Sequence, residues 1–144
     1  MEKKEIENFS EEEAEKELKK RYKKAEKILD DEDKLGNFLD RLEYKLNKVP
    51  VGGNILSMIP VMIAMLRSYF KKEYKDVPLG TLIALISALL YWLAPADVIP
   101  DVLPVVGYVD DATVIAACLK LINDDLKEYK TWREKNKKND KIDS

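Results

Sequence analysis

Four aspartates in an apolar, proline-rich segment are the residues best suited to chemistry in this chain. Asp97, Asp101, Asp110 and Asp111 are the only charged residues between Asp76 and Lys120. Ionised carboxylates in apolar surroundings are costly unless they are paired, accept backbone N–H bonds or bind a metal. No basic residue lies nearby in sequence. Two interpretations stay open: Asp97 and Asp110 cap short helices while Asp101 fixes a turn, or the four acids form an oxygen-rich site for Mg²⁺ or Ca²⁺.

Other catalytic chemistry has little support in the sequence. The chain contains no histidine, which excludes Ser–His and Cys–His catalysis and every histidine-based zinc site. Its one cysteine, Cys118, lies among alanines and a leucine and is expected to be a small buried hydrophobe. We therefore assign no catalytic residue and expect no cofactor, with Mg²⁺ or Ca²⁺ at the aspartates as the exception.

Composition indicates one helical domain with a segregated charge. The 144 residues are 36% charged and 46% hydrophobic, with few glycines and prolines, a mixture typical of helices. The net charge of −2 argues against a nucleic-acid binder, because nothing overall would neutralise phosphates. Residues 1–48 form a charged amphipathic N-terminal region, residues 49–135 an apolar helical domain, and residues 136–144 a polar tail.

Periodic apolar positions predict the first two helices. Ser10 is the expected N-cap of the first, with Glu13 closing a capping box. Its apolar stripe is Ala14, Leu18, Tyr22, Ala25 and Leu29. Residues 30–33 interrupt this helix. The second helix carries Leu35, Phe38, Leu39, Leu42 and Leu46 and stops at the proline and glycines of residues 49–53.

Three further helices follow, the middle one apolar on all sides. They are expected over residues 55–70, from a start at residues 76–78 through Thr81 to Leu93, and from Asp110–Asp111 onward, with a frayed polar tail from Lys135. A proline-rich chain reversal precedes the last helix, formed by Pro95, Pro100, Pro104 and Gly107. Gly107 is expected to adopt a left-handed backbone conformation. The predicted fold is an all-α bundle of about five helices.

The uncharged stretches leave two settings open. Residues 49–66 and 77–96 contain no charge, and a helix of roughly 20 residues matches the hydrocarbon thickness of a bilayer. Tyr91 and Trp92 would then lie near an interface. The prolines shorten both stretches, however, and apolar helices of that length also form the centre of soluble bundles. Shallow membrane association is therefore preferred over a two-pass span.

The segment 91–111 resembles the signature of the YkvA-like family, a bacterial and archaeal domain of unknown function. Its pattern is an apolar helix, Pro-x-Asp-x-Ile-Pro-Asp, and then Pro-x-x-Gly-Tyr-x-Asp-Asp, which this chain matches at 95–111. Ala94 stands where serine is common. The similarity extends from about residue 30 onward, so the first helix is the variable part. The resemblance implies no established activity, cofactor or substrate, but members are often described as membrane proteins.

The leading hypothesis is a non-enzymatic, membrane-associated helical protein that acts through lipid or protein contacts. The charged start lacks a signal-peptide pattern, so the N-terminus is expected in the cytoplasm. One alternative is a soluble cytoplasmic interaction or regulatory module whose bundle covers the apolar helices. Another is a metal-dependent enzyme that uses the aspartates.

Overall fold

The computed structural model describes residues 2–48, 55–93 and 111–143, and side chains over 11–48, 55–93 and 112–136. These residues form helices and connecting turns, without a β-strand in the described ranges. The helices are α1 (Glu2–Lys20), α2 (Tyr22–Leu29), α3 (Glu32–Lys48), α4 (Ile59–Phe70), α5 (Leu79–Leu93) and α6 (Asp111–Asp143), with a 3₁₀ turn over Leu56–Met58 before α4. The all-α prediction is confirmed. The described ranges contain six α-helices rather than five, because the first predicted helix is divided at Arg21.

The first helix differs from the prediction at its start and in its buried face. α1 begins at Glu2, so Ser10 lies inside the helix and the predicted capping box is wrong. The Glu- and Lys-rich residues before Ser10 are good helix formers, which explains the extension. The side chains of the first helical pair that are fully or nearly buried are Ala14, Leu18, Arg21, Ala25 and Ile28. Tyr22 and Leu29, which were assigned to this stripe, are only half-buried.

The break between α2 and α3 lies where the acidic run predicted it. The Asp31 carboxylate accepts hydrogen bonds from the backbone N–H groups of Asp33 at 3.0 Å and Lys34 at 3.3 Å, satisfying donors at the start of α3. α3 then buries its predicted stripe against the bundle, although Leu46 is half-buried. The predicted breaker at 49–53 lies outside the described residues.

α4 and α5 form the apolar interior. Pro60 occupies the first turn of α4, where its missing N–H costs nothing. α5 packs against every other α-helix, and most of its side chains are buried, among them Leu85, Ile86 and Leu89 at 0% exposure. Burying such a side chain stabilises the fold by roughly 1.5–3 kcal/mol. Apart from Leu79 at its start, most of the apolar surface of α5 is thus covered by protein.

α5 and α6 run antiparallel. Thr81 Oγ1 donates to Asp125 Oδ2 at 2.5 Å, and Cys118 Sγ donates to the Ala84 carbonyl at 3.4 Å. Residues that come later in α5 therefore meet residues that come earlier in α6. The chain direction reverses between 93 and 111, as predicted, while residues 94–110 lie outside the described part. α6 remains helical through Asp143, so the frayed tail expected from Lys135 is wrong for the backbone.

Candidate functional site

Most of the predicted site residues fall outside the described residues. Asp97, Asp101 and Asp110 lie there, as do the structural positions Pro95, Pro100, Pro104 and Gly107. Asp111 is the first residue of α6, as predicted, but its side chain is not described. Among the described residues, no group of three or more histidine, cysteine, aspartate or glutamate side chains could hold a metal ion. The Mg²⁺ or Ca²⁺ site at the four aspartates stays a prediction.

A buried arginine lies at the end of the bundle where α5 stops. Arg21, between α1 and α2, has 0% exposure. Its Nη1 donates to the Glu17 carboxylate and to the Glu17 carbonyl, both at 2.8 Å, and its guanidinium lies 4.8 Å from the centroid of the Tyr91 ring. A buried charge requires partners of this kind. Arg21 thus ties the junction of α1 and α2 to the last turn of α5.

The carboxyl of Glu17 responds to two opposing effects. Burial acts to raise its pKa, but the hydrogen bonds from Arg21 and Lys20 and their positive charges outweigh it. The pKa of Glu17 therefore lies below its ordinary value of 4.5. Glu17 is an anion at neutral pH, which is the state that Arg21 needs as a partner.

A second cation contacts the same end of α5. Lys45 Nζ lies 4.6 Å from the centroid of the Trp92 ring and donates to the Trp92 carbonyl, one of the free carbonyls of the last helical turn. Cations at a helix C-terminus also complement its dipole. We call Arg21, Lys45, Tyr91 and Trp92 the motif end, because residues 94–110 follow directly and α6 returns beside it.

Sequence reasoning found no basic residue near the aspartates, but the fold brings Arg21 and Lys45 to the helix that precedes them. The signal for Arg21 was present in its spacing. Positions 14, 18, 21, 25 and 28 follow each other at intervals of three and four, so Arg21 stands on the apolar stripe. The contact of Lys45 with Trp92, 47 residues apart, had no local signal.

The opposite end of the bundle carries exposed lysines and apolar side chains. Phe70 is 36% exposed and Leu79 is 63% exposed. The connection between α4 and α5 places Lys71, Lys72 and Lys75 on the surface, together with the exposed acids Glu73 and Asp76, so the connection has a small positive net charge. We call Phe70, Leu79 and the three lysines the basic corner. The acidic turn that leads into α3 lies beside it, because Glu32 is 3.9 Å from Lys72.

An aromatic cluster joins the basic corner to α6. The Tyr74 ring lies 5.2 Å from that of Tyr129 and 5.0 Å from that of Trp132, and the Tyr129 hydroxyl shares a 2.9 Å hydrogen bond with that of Ser68. Tyr74 lies in the connection between α4 and α5. Because its ring contacts Tyr129 and Trp132, the part of α6 from about residue 127 onward, which is rich in lysine, passes this end of the bundle. The cluster fixes the position of the corner.

Phe70 separates two surface clefts. Its ring lies against Gly36 of α3, where a Cβ would be 3.3 Å from the ring. On one side, a cleft of about 290 Å³ has mostly charged and polar walls, including Asp40 and Arg67. On the other side, a cleft of about 440 Å³ is lined by apolar and aromatic side chains together with two lysines and Glu32. The second cleft has the size and mixed lining of a small-molecule site.

Cys118 belongs neither to the motif end nor to the basic corner. It is fully buried between α6 and α5, as predicted, and burial raises the pKa of its thiol to about 12. A thiol with that pKa is almost entirely protonated at neutral pH and is a poor nucleophile.

Comparisons with known proteins identify the family to which this chain belongs. A family model described as "Protein of unknown function (DUF1232)" matches residues 81–117. The chain is 37% identical over 75 residues to the "Uncharacterized membrane protein YkvA" of Bacillus subtilis (strain 168), over 52% of this chain and 71% of that protein. The chain belongs to the YkvA-like family. No solved structure is significantly similar to it.

The match to the family model covers most of α5, the segment that follows it and the start of α6. Residues 81–117 comprise nearly all of α5, the four aspartates and the first turns of α6. The helices that cover α5 from the other sides, α1 to α4, precede this range. The family resemblance drawn from the motif is thereby confirmed, and the motif end lies within or directly against the matched segment.

Proposed function

We propose that this YkvA-like chain is a non-enzymatic protein that associates with the cytoplasmic face of a membrane by contacting lipid with its basic corner. The observation that carries the proposal is the basic corner itself, in which Phe70 and Leu79 are exposed beside Lys71, Lys72 and Lys75. Aromatic and aliphatic side chains enter the headgroup region, and lysines are attracted to anionic lipids, which are enriched in the cytoplasmic leaflet. The name of the Bacillus relative is consistent with such a setting.

A contact between lipid and the bundle surface agrees with the packing of the apolar helices. Within the described ranges, no helix is long and apolar enough to cross a membrane. α5 is surrounded by the other helices, and α4 buries Met62, Met65 and Leu66 completely. Within the described ranges, the apolar side chains that could contact lipid without unfolding are those on the bundle surface, such as Phe70 and Leu79.

The C-terminal half of α6 passes the same end of the bundle, because Tyr129 and Trp132 contact Tyr74. Residues 127–136 contain four lysines or arginines and two glutamates, and α6 continues as a helix to Asp143. A lysine near an anionic surface contributes about 1 kcal/mol. Because the whole chain has a net charge of −2, attraction requires the basic side to face the lipid. Binding should therefore weaken steeply with salt.

Flotation with lipid vesicles tests the proposal. The purified chain should float with vesicles that contain one third phosphatidylglycerol and should stay unbound with vesicles of phosphatidylcholine alone. The triple variant Lys71→Glu, Lys72→Glu, Lys75→Glu should lose binding. The matched triple variant Lys19→Glu, Lys23→Glu, Lys24→Glu changes the charge equally at exposed sites on α1 and α2 and should retain it.

Two outcomes would reject the proposal. One is a wild-type chain that fails to float at low salt. The other is an equal loss of flotation in both triple variants, since that would show a response to net charge alone. Circular dichroism of each variant checks that the helices are intact.

The burial of α5 also supports a second candidate, a soluble helical interaction module. In that case the bundle covers its own apolar helices and its surface binds another protein. Such a chain would remain unbound to vesicles of either composition while retaining its fold.

A further inference from the structure

The larger cleft beside Phe70 has the composition of a site for an amphiphile with a charged head. Leu29, Leu35, Tyr69 and Phe70 supply apolar walls, and Lys72, Lys75 and Glu32 supply the charged groups of its lining. At about 440 Å³, it falls in the range of small-molecule sites. The lining contains cations and an anion within one cleft. A ligand that matches it therefore needs both signs of charge and an apolar part.

The backbone at Lys72 gives an independent reason to assign a role to its side chain. Lys72 has φ of 64°, the left-handed conformation that glycine adopts most easily. It follows α4 in a Schellman motif, with the Glu73 N–H donating to the Ser68 carbonyl and the Lys72 N–H to the Tyr69 carbonyl, both at 3.0 Å. Glycine would fit this position with less strain. A lysine there is explained if its ammonium is used.

The charges of the cleft are only weakly engaged with each other. Lys72 Nζ lies 3.9 Å from Glu32 Oε1, and these side chains are 70% and 81% exposed. An exposed pair at that distance contributes little. Both groups can therefore turn to a ligand with small loss, the lysines toward a phosphate and Glu32 toward an ammonium.

We propose that this cleft takes the head of one phosphatidylethanolamine molecule of the bilayer. Lys72 and Lys75 contact the phosphate, Glu32 accepts hydrogen bonds from the primary ammonium, and the first acyl carbons lie on Leu29 and Phe70. This head fits the lining because its phosphate can pair with the two lysines and its primary ammonium with Glu32. A quaternary choline head has no N–H to donate to Glu32, and a glycerol head lacks the positive charge. The inference rests on the membrane contact proposed above.

Titration with short-chain lipids below their micelle concentrations tests the site. Dihexanoyl phosphatidylethanolamine should shift the amide signals of Leu29, Leu35 and Lys72 saturably, and it should bind about tenfold more tightly than the phosphatidylcholine or phosphatidylglycerol equivalents. Glu32→Gln should remove this preference. Glu12→Gln, at an exposed site on α1, is the matched control and should leave it unchanged.

Lys72→Gly separates binding from folding. Because glycine relieves the left-handed backbone, this variant should melt at a higher temperature than the wild type while its affinity for dihexanoyl phosphatidylethanolamine falls. Unsaturable shifts, or equal affinity for the three lipids, would overturn the site. In that event, flotation of the wild type on phosphatidylglycerol vesicles would still stand as support for the membrane contact, and failed flotation would reject the contact separately.

Discussion

The guanidinium of Arg21 lies 4.8 Å from the centre of the Tyr91 ring, although the two residues are far apart in the sequence. This contact connects the start of α2 with the last turn of α5, where the chain enters the segment that carries the aspartates. Arg21 has 0% exposure and pairs with Glu17 at 2.8 Å. Its charge is stabilised in the interior by an anion, a carbonyl and an aromatic face together.

Glu17→Gln should destabilise the fold by about 2–3 kcal/mol at neutral pH, because it leaves the buried Arg21 without its carboxylate. The pKa of Glu17 in the folded protein lies below 4.5. The contribution of the carboxylate is therefore complete above that value and is lost as the pH falls through the lower folded-state pKa. Urea unfolding of both proteins should show a difference at neutral pH that shrinks in acid. Glu12→Gln should behave like the wild type at both.

Lys45→Met should cost about 1 kcal/mol, because it removes the cation from the Trp92 ring and the donor from the Trp92 carbonyl. Lys48 offers a comparison on the same helix, since its ammonium lies 5.2 Å from the ring of the exposed Tyr44. Lys48→Met should cost clearly less in urea unfolding. Equal losses of unfolding free energy in the two variants would mean that burial of the aromatic ring does not strengthen its contact with the lysine.

Cys118 should resist alkylation in the native protein. With its pKa raised to about 12, only about one thiol in ten thousand is ionised at pH near 8, and the side chain is fully buried. Iodoacetamide labelling followed by mass spectrometry should therefore be very slow in buffer and fast in concentrated urea. Rapid labelling of the folded chain would contradict the packing of α5 on α6.

Gly36→Ala and Gly80→Ala form a matched pair within helices. Nothing lies within 4 Å of a Cβ added at Gly80, so that substitution should stabilise the fold by about 0.5–1 kcal/mol through helix propensity. At Gly36 the new Cβ would be 3.3 Å from the Phe70 ring, which must move. Gly36→Ala should therefore stabilise less, and thermal unfolding of the two variants measures the difference.

The metal hypothesis for the four aspartates has a direct test. If Asp97, Asp101, Asp110 and Asp111 bind Mg²⁺ or Ca²⁺, adding either ion should raise the melting temperature of the wild type, and Asp101→Asn should reduce that shift. A melting temperature that ignores both ions would leave helix capping and turn formation as the role of these carboxylates.

Apolar periodicity predicted the interior helices well. α3, α4 and α5 end close to the expected residues, and α3 begins after the acidic run, as expected. α4 begins at Ile59, later than the predicted residue 55, because a 3₁₀ turn precedes it and Pro60 occupies its first turn. The buried face of the first helix was predicted less well. Its buried stripe includes Arg21, and a charged residue is normally assigned to the solvent face.

Contacts at the two ends of the bundle join residues that are distant in the sequence, so local sequence patterns do not predict them. The position of Lys45 over Trp92 depends on how α3 crosses α5, which no short window of sequence contains. The Schellman motif after α4 was missed because glycine usually marks it, whereas here Lys72 occupies that position. The lysines of the basic corner follow α4 directly in the sequence, but their proximity to Glu32 comes from the packing of α3 against α4.

The central position of α5 has a consequence for how this chain can respond to a bilayer. Since α5 packs against all five of the other α-helices, no single neighbour can swing aside to release it. Exposing this helix to lipid would therefore break its contacts with all of them, at a free energy that approaches that of global unfolding. Amide protons of α5 should accordingly be the last to exchange with solvent, whether or not vesicles are bound.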